Sequence, residues 1–200
     1  MEFSDVVASR RSIRKFRPEN ISADSIQLLL DAARLAPSGS NLQPSRFIIA
    51  QSPAAKEELG KFTPYKFIAQ AAVIFVCCAD LTAISTKETR VGELLKEGAF
   101  EGVEMDMNVP SAASPAMDAE MVRAYLSMNV AIAVEHIVLK AVDLGLGSCW
   151  IGRFDRDKVK DFLKLDEDIY PVVLLPVGHP DQSPKERPRF AVEKYLLKTI

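Results

Sequence analysis

The chain has 200 residues and a mass of 22.1 kDa, with 48% hydrophobic and 26% charged residues. This length and composition predict one globular domain over residues 1–200 and exclude disorder as the dominant state. Twenty-five basic residues against 27 acidic ones give a net charge of −2. This balance argues against nucleic acid as the main partner, because proteins that bind phosphate backbones are usually basic.

The cysteines and histidines are too few and too scattered to indicate a disulfide framework, a zinc site or a catalytic triad. Cys149 has no neighbouring histidine or lysine, so we interpret it as a small buried residue and not as a nucleophile. His136 is interpreted as a hydrogen-bonded structural residue. The longest charge-free apolar run, residues 67–79, is too short to cross a bilayer, and the first residues do not resemble a signal peptide. We therefore expect no metal, no membrane association and a cytoplasmic location.

The first half of the chain shows helical and strand periodicities separated by turn residues. In chain order they predict a short helix over 4–15, a helix capped by Ser22 and stopped by Pro37, a loop over 37–44, a strand over 46–51, a helix over 53–61 and a strand over 73–79. The last strand is apolar on both faces, which is typical of a central strand.

The second half is dominated by one long apolar helix. The pattern predicts a helix and a loop over 80–113 (with Met105, Met107 and Pro110 in the loop), a helix from Ser114-Pro115 to Leu144, an extended segment over 148–152, a helix over 156–164 capped by Asp155 and a strand over 170–177. Residues 128–134 are apolar except for Asn129, so we expect this stretch to be buried on every side, in part at a subunit interface. The amphipathic tail over 190–200 is expected to dock on another surface. No GxGxxG follows a strand, so a Rossmann fold has no support.

Two basic clusters lie near opposite ends of the chain. Residues 10–14 (RRSIR) place three arginines and a serine within five residues, a donor set suited to phosphate, although a solvated basic patch has the same composition. Residues 185–189 (KERPR) form the second cluster, and a surface loop is the alternative there. Together the two clusters are compatible with one site for a phosphorylated cofactor.

Two further segments are suited to a flat ligand. In the loop 37–44 the amides Asn41 and Gln43 can bind the edge of a heterocycle, and Ser38 and Gly39 allow close backbone approach; a turn that satisfies its own backbone is the alternative. In residues 145–152 glycines flank the single tryptophan, which fits either a ring-binding segment or a helix end followed by a core tryptophan.

The four segments together resemble the nitroreductase family of FMN-dependent oxidoreductases. The resemblance is carried by RRSIRKF (10–16), APSGSNLQP (36–44), GLGSCWIG (145–152) and VGHPDQSPKERP (177–188), which occur in the family's order and spacing. It implies an α+β fold with a central mixed β-sheet flanked by helices. It also implies an obligate homodimer with FMN at the interface, the long helix in the dimer core and the C-terminal segment exchanged between subunits.

The resemblance also assigns residues to the cofactor. Arg10, Arg11 and Ser12 match the family's N-terminal flavin-binding motif, with Arg10 and Ser12 toward the phosphate and ribityl end. Arg14 matches a basic position near the pyrimidine edge. The remaining matches are the C-terminal phosphate ligands Lys185 and Arg187, the partner's loop residues Pro37, Ser38, Gly39 and Asn41, and the ring segment Trp150, Ile151 and Gly152. Whether Lys66 and Gln43 contact the flavin stays open.

The implied function is hydride transfer from NAD(P)H through flavin N5 to a small oxidant, such as a nitroaromatic, a quinone or an activated alkene, by a ping-pong mechanism without a catalytic side chain. Ser45 replaces an aromatic residue found in many members, and segment 86–117, a predicted lid, matches no family pattern. Three alternatives remain: a specialised flavin enzyme (dehalogenation, flavin cleavage or enone reduction), a non-catalytic FMN-binding protein, and a plain interaction domain.

Overall fold

The computed structural model describes residues 1–104 and 117–200. Its helices are α1 (Phe3–Ser9), α2 (Ala23–Arg34), α3 (Pro53–Lys61), α4 (Lys87–Lys96), α5 (Ala119–Asp143) and α6 (Arg156–Leu163). Its strands are β1 (Ser45–Ala50), β2 (Val73–Asp80), β3 (Gly147–Ser148) and β4 (Ile169–Gly178). Helices and strands thus follow the predicted order closely from α2 onwards.

Three predicted helix starts are confirmed, two of them by the predicted side-chain caps. The hydroxyl of Ser22 accepts a hydrogen bond from the Ser25 N–H at 3.0 Å, at the start of α2. The carboxylate of Asp155 accepts one from the Lys158 N–H at 3.1 Å, at the start of α6. Such caps satisfy backbone donors that the first helical turn leaves without a partner. At α3, Pro53 occupies the first helical turn, as expected.

The four strands form one sheet in the order β1-β2-β4-β3, and each neighbouring pair is antiparallel. Among the described residues, parallel pairing is confined to the isolated bridge between Ser12 and Ser148. β2 lies in the interior of the sheet and is almost entirely buried, which confirms the predicted central strand. Helices cover both faces, and the predicted α+β fold is confirmed. The predicted mixed character of the sheet is wrong for the described strands, because all of them pair antiparallel.

The alternating side chains of β2 and β4 divide the core into two layers. Phe75 and Leu175 point into the layer formed with α2 and α5, which contains the larger buried cluster. Ile74 and Leu174 point into the opposite layer, formed with α3 and α6. The sheet is therefore held between two pairs of helices.

Two predicted helix boundaries are wrong. The first helix ends at Ser9, and residues 10–15 run outside it. The long helix does not start at Ser114-Pro115, because Met117 is not helical and Asp118 caps a helix that begins at Ala119. Ser114, Pro115 and the predicted loop residues Met105, Met107 and Pro110 lie outside the described residues, as does most of the predicted lid beyond α4.

Within the single chain, residues 128–134 are not buried on every side, and the burial expected at a subunit interface stays a prediction. Val130 and Val134 are fully buried, whereas the Met128 side chain is 55% exposed. By length and composition alone, α5 could cross a membrane. Many of its residues, however, belong to the hydrophobic core. The tail over 190–200 is exposed throughout.

Candidate cofactor site

The segment that follows α1 joins three of the four sequence motifs. The Ile13 N–H donates to the carbonyl of Ser148, in β3, at 2.8 Å. On its other side, the Arg17 N–H donates to the His179 carbonyl at 2.9 Å, and the Asp181 N–H donates to the Lys15 carbonyl at 2.9 Å. Residues 12–17 are therefore held between the 145–152 motif and the start of the C-terminal motif. The fold brings these segments together from sequence positions more than a hundred residues apart.

Gly147 allows this close approach. A Cβ atom at Gly147 would lie 2.5 Å from Cγ1 and 2.9 Å from Cβ of Ile13. Both distances are shorter than carbon atoms can approach without displacing one another. The glycine in the motif is therefore required by the neighbouring N-terminal segment.

The three arginines of the N-terminal cluster have different surroundings. Arg11 turns back and donates to the carbonyls of Ala8 at 2.6 Å and Arg10 at 2.8 Å, so its guanidinium is engaged by its own segment. Arg14 is exposed, and its guanidinium makes one hydrogen bond to a described residue, to the Ser12 carbonyl at 3.4 Å. Neither Arg10 nor Arg14 forms an ion pair with a described residue. Two guanidinium groups are thus available to an anionic ligand.

Cys149 lies beneath this cluster. Its side chain is buried, and burial raises the pKa of the thiol, while the Arg14 charge and a hydrogen bond with Ser12 act in the opposite direction. The thiol is therefore protonated at neutral pH, which agrees with its interpretation as a buried residue. His136 also has the expected structural role, because its Nδ1 lies 3.2 Å from the Ala32 carbonyl oxygen.

The 150–152 segment presents one aromatic ring at the surface. Trp150 is 38% exposed, although it follows a buried residue and precedes another. Ile151 is buried and exchanges two backbone hydrogen bonds with Leu174, at 3.0 and 3.1 Å. Its N–H is consequently committed to the sheet and is not available to a ligand. Gly152 is exposed, and a Cβ there would meet no atom within 4 Å.

The C-terminal cluster lies on the surface. Residues 182–184 line a cavity of about 340 Å³ together with Arg11 and Gly147. Lys185 and Arg187, which follow, are exposed and form no ion pair with a described residue. The backbone leading to this cluster therefore lies beside the N-terminal cluster.

The loop 37–44 lies elsewhere on the chain, near the start of α5. It borders a cavity of about 240 Å³ that shares no residue with the cavity beside Arg11. The Gly39 N–H donates to Oδ1 of Asn129 at 2.7 Å, and the Gln43 N–H donates to the Ser38 hydroxyl at 2.9 Å. α4, which lies in the described part of the predicted lid, contacts the turn Gly39–Asn41. Within one chain, the loop does not join the N-terminal cluster.

Sequence reasoning did not identify Asn129 and Tyr125 as partners of this loop. A Cβ at Gly39 would collide with the Tyr125 hydroxyl, so the glycine serves a close approach within the chain. Lys66, whose role was left open, donates to the carbonyls of Gly60 at 2.9 Å and Thr63 at 3.2 Å. The one sequence signal for Asn129 was its polarity within an apolar helical stretch.

FMN carries a phosphate, a hydroxylated chain and a flat ring, and the donor set fits these groups. Arg10 and Arg14 supply charged donors, Ser12 supplies a hydroxyl, and Trp150 supplies an exposed aromatic surface. Within residues 1–104 and 117–200, no cluster of three or more histidine, cysteine, aspartate or glutamate side chains could hold a metal ion.

Comparison with known proteins adds an independent line of observation. A model of the nitroreductase family matches residues 7–179. The chain belongs to the nitroreductase family. This membership confirms the family and the oxidoreductase class predicted from the sequence.

Individual relatives agree with this assignment. The chain is 28% identical to a Bacillus subtilis protein named FMN reductase (NADPH), over 92% of this chain and 68% of that protein. It is also 28% identical to a Thermus thermophilus protein named NADH dehydrogenase, over 94% and 91% of the two chains. The names of these relatives agree with the predicted FMN and NAD(P)H.

Solved structures show the same fold. A protein from Exiguobacterium sibiricum, assigned as a nitroreductase and crystallised with FMN, superposes with a TM-score of 0.81, covering 100% of this chain and 98% of that one at 22% identity. A nitroreductase family protein from Streptococcus pneumoniae gives a TM-score of 0.79 at 22% identity, with 99% and 100% coverage.

Proposed function

We propose that this member of the nitroreductase family binds FMN and passes reducing equivalents from NAD(P)H to a small oxidant such as a nitroaromatic, a quinone or an activated alkene. The observation that carries the proposal is the pairing of residues 12–17 with both the 145–152 motif and residues 179–181. This pairing gathers an aromatic surface and two guanidinium groups without ion-pair partners among the described residues. Names of relatives, which include FMN reductase (NADPH), support the same cofactor and donor.

In this proposal, different residues bind different parts of FMN. Arg10 and Ser12 hold the phosphate end, with Lys185 and Arg187 closing on it from the C-terminal side. Arg14 lies toward the pyrimidine edge, where a positive charge favours the anionic reduced ring. Trp150 and the open backbone at Gly152 border the ring. No side chain of the set is required as a nucleophile or general base.

We infer that the site is completed by a second copy of the chain. The loop 37–44 and the N-terminal cluster border different cavities in one chain, so both can act on one ligand only across a dimer. Exposed apolar side chains support such an interface: Met121 and Met128 on α5, and Leu196 and Leu197 in the tail. In this arrangement the tail extends over the partner.

When bound, FMN supplies a ring that accepts a hydride at N5 from NAD(P)H and returns it to an oxidant that occupies the same face after the nicotinamide has left. The chain binds and orients the two substrates in turn. Initial rates at several fixed oxidant concentrations test this ping-pong order. Parallel double-reciprocal lines are expected, and converging lines would contradict it.

Arg14→Ala tests the ring-edge assignment. Removal of the exposed guanidinium should weaken FMN retention or slow its reduction, because the charge that favours the reduced ring is lost. Arg123→Ala is the matched control, since Arg123 is also exposed but packs on Tyr170 away from the cluster. Wild-type FMN affinity and wild-type reduction rate in Arg14→Ala would remove this residue from the site.

Arg187→Glu tests the C-terminal cluster. The substitution should lower FMN affinity, because it places a negative charge beside the phosphate. Its effect should weaken as salt is added, since exposed charges are screened. Unchanged affinity would separate this cluster from the cofactor.

The alternative of a non-catalytic binding protein has its own test. FMN that binds but stays oxidised when NAD(P)H is added anaerobically would indicate such a protein.

A further inference from the structure

We propose that Asn129 is a positioning residue: from within the core it holds the loop 37–44 in the shape that contacts FMN. The inference rests on the proposed function, because the loop is assigned to the cofactor there. Asn129 itself is 2% exposed and lines the cavity that the loop borders. It acts through Gly39 and the loop that follows.

Asn129 uses both ends of its amide. Its Oδ1 accepts a hydrogen bond from the Gly39 N–H at 2.7 Å, and its Nδ2 donates to the Tyr125 carbonyl at 2.8 Å. A buried polar side chain is costly unless its groups are paired, and here both are paired. The surrounding α5 residues are apolar, so packing alone would favour a leucine at this position. The presence of an amide at this position is explained by its hydrogen bond to the loop.

Tyr125 fixes the same point of the loop from one helical turn earlier. A Cβ at Gly39 would collide with the Tyr125 hydroxyl and would lie 2.9 Å from Cζ of the ring. Gly39 is thus held by a hydrogen bond on its N–H and by van der Waals contact on its Cα. Two side chains of α5 therefore set the position of the loop relative to the core.

The loop needs such support because its backbone is strained. Ser40, Asn41 and Gln43 have φ values of 50°, 53° and 48°, in the left-handed region that residues other than glycine rarely adopt. Conformations of this kind persist only when neighbouring structure holds them, and they are concentrated at functional sites. Asn41 is among the residues assigned to FMN. Loss of the anchor at Gly39 would let the following residues relax and move Asn41.

The experiment compares two substitutions at Asn129 with a control on the same helix. Asn129→Leu removes both hydrogen bonds, whereas Asn129→Asp keeps the oxygen that accepts from Gly39 and preserves the volume. Val138→Ala is the control, because Val138 is buried in the same core cluster nine positions further along α5 and lies away from the loop. The control separates loss of stability from loss of loop position.

Two readouts are taken on the full-length protein. Limited trypsin digestion of the apoprotein reports loop order without any cofactor, since Arg34 and Arg46 flank the loop. FMN affinity is measured by quenching of flavin fluorescence. We expect faster cleavage at these two sites in Asn129→Leu and about tenfold weaker FMN binding, the size expected when one buried donor is left unpaired. Asn129→Asp should lie between wild type and Asn129→Leu, and Val138→Ala should match wild type in both readouts.

Each outcome decides the proposal. Equal cleavage and equal FMN affinity in Asn129→Leu and Val138→Ala would overturn it. If neither Asn129 variant folds, the residue is required for the fold as a whole and the positioning role is likewise rejected. If wild type does not bind FMN, the proposed function fails, while the trypsin comparison still decides whether Asn129 orders the loop.

Discussion

Substitution of Gly147 by alanine tests the contact that assembles the candidate site. The new Cβ would lie 2.5 Å from Cγ1, 2.9 Å from Cβ and 3.1 Å from Cγ2 of Ile13. Ile13 is buried, and its N–H donates to the Ser148 carbonyl at 2.8 Å. The added methyl group must therefore displace the N-terminal segment from β3 or move β3 itself.

The expected cost follows from overpacking. Forcing one extra methyl group into a packed contact typically costs about 1–3 kcal/mol. For a chain of this size, each kcal/mol corresponds to a decrease of about 2–4 °C in the melting temperature. If the segment carrying Arg10, Ser12 and Arg14 moves away from β3, FMN affinity falls about tenfold for each 1.4 kcal/mol of binding energy lost.

The assay combines thermal unfolding with FMN titration. Gly92→Ala is the matched control, because Gly92 lies inside α4 and a Cβ there meets no atom within 4 Å. This control should gain about 0.5–1 kcal/mol, since alanine is the better helix former. Gly147→Ala with wild-type stability and wild-type FMN affinity would refute the reasoning. Reduced stability with unchanged affinity would show that the N-terminal segment does not belong to the cofactor site.

Three further predictions concern caps and titratable groups. Burial raises the pKa of the Cys78 thiol to about 12 and raises the pKa of the other two thiols, so iodoacetamide at pH 8 should label native protein far more slowly than urea-unfolded protein; equal rates would contradict the buried thiols. Ser22→Ala removes the hydroxyl that caps Ser25 and should lower the unfolding free energy by about 1 kcal/mol, measured by urea denaturation; no change would mean that the cap does not stabilise α2. The hydrogen bond from Lys140 and the N-terminal amine lower the pKa of Asp143 to about 2, so its contribution is present above the ordinary carboxyl pKa and is lost as pH falls toward about 2. Asp143→Asn should therefore flatten the acid limb of the stability profile, and an unchanged limb would reject this ion cluster.

Local signals in the sequence predicted most of the elements from α2 onwards. Ser22 and Asp155 mark helix starts because a side-chain oxygen at that position satisfies a backbone donor. The apolar run in β2 identified the central strand, because both of its faces are covered by helices. These features depend on residues close in sequence, and the sequence alone therefore contains them.

The predictions that were wrong or incomplete depend on contacts between residues far apart in sequence, or on signals that occur at two neighbouring positions. Residues 10–15 carry no local signal against a helix, but they pair with Ser148 and Asp181, which are far away in sequence. The exposure of Met128 depends on which neighbours pack against α5, and helical periodicity does not contain that information. The start of α5 was misplaced because Ser114-Pro115 and Asp118 both have the composition of a helix start.

The candidate site was predicted in part for the same reason. Motif order and spacing identified the segments, and the fold brings residues 12–17, 145–152 and 179–181 together. The left-handed backbone of the loop, and its anchor at Asn129, could not be read from turn composition. The approach of Gly39 to a flat ligand stays a prediction, and its missing side chain also makes room for Tyr125, which the sequence did not indicate.

Anaerobic titration of the FMN-loaded protein with NADPH and then NADH tests the central claim most directly. Purified protein should take up FMN, and either nicotinamide should bleach the visible absorption of the oxidised flavin, which returns when a quinone is added. A protein that takes up no FMN, or holds it without bleaching by either donor, would contradict the assignment of this chain as a flavin-dependent oxidoreductase.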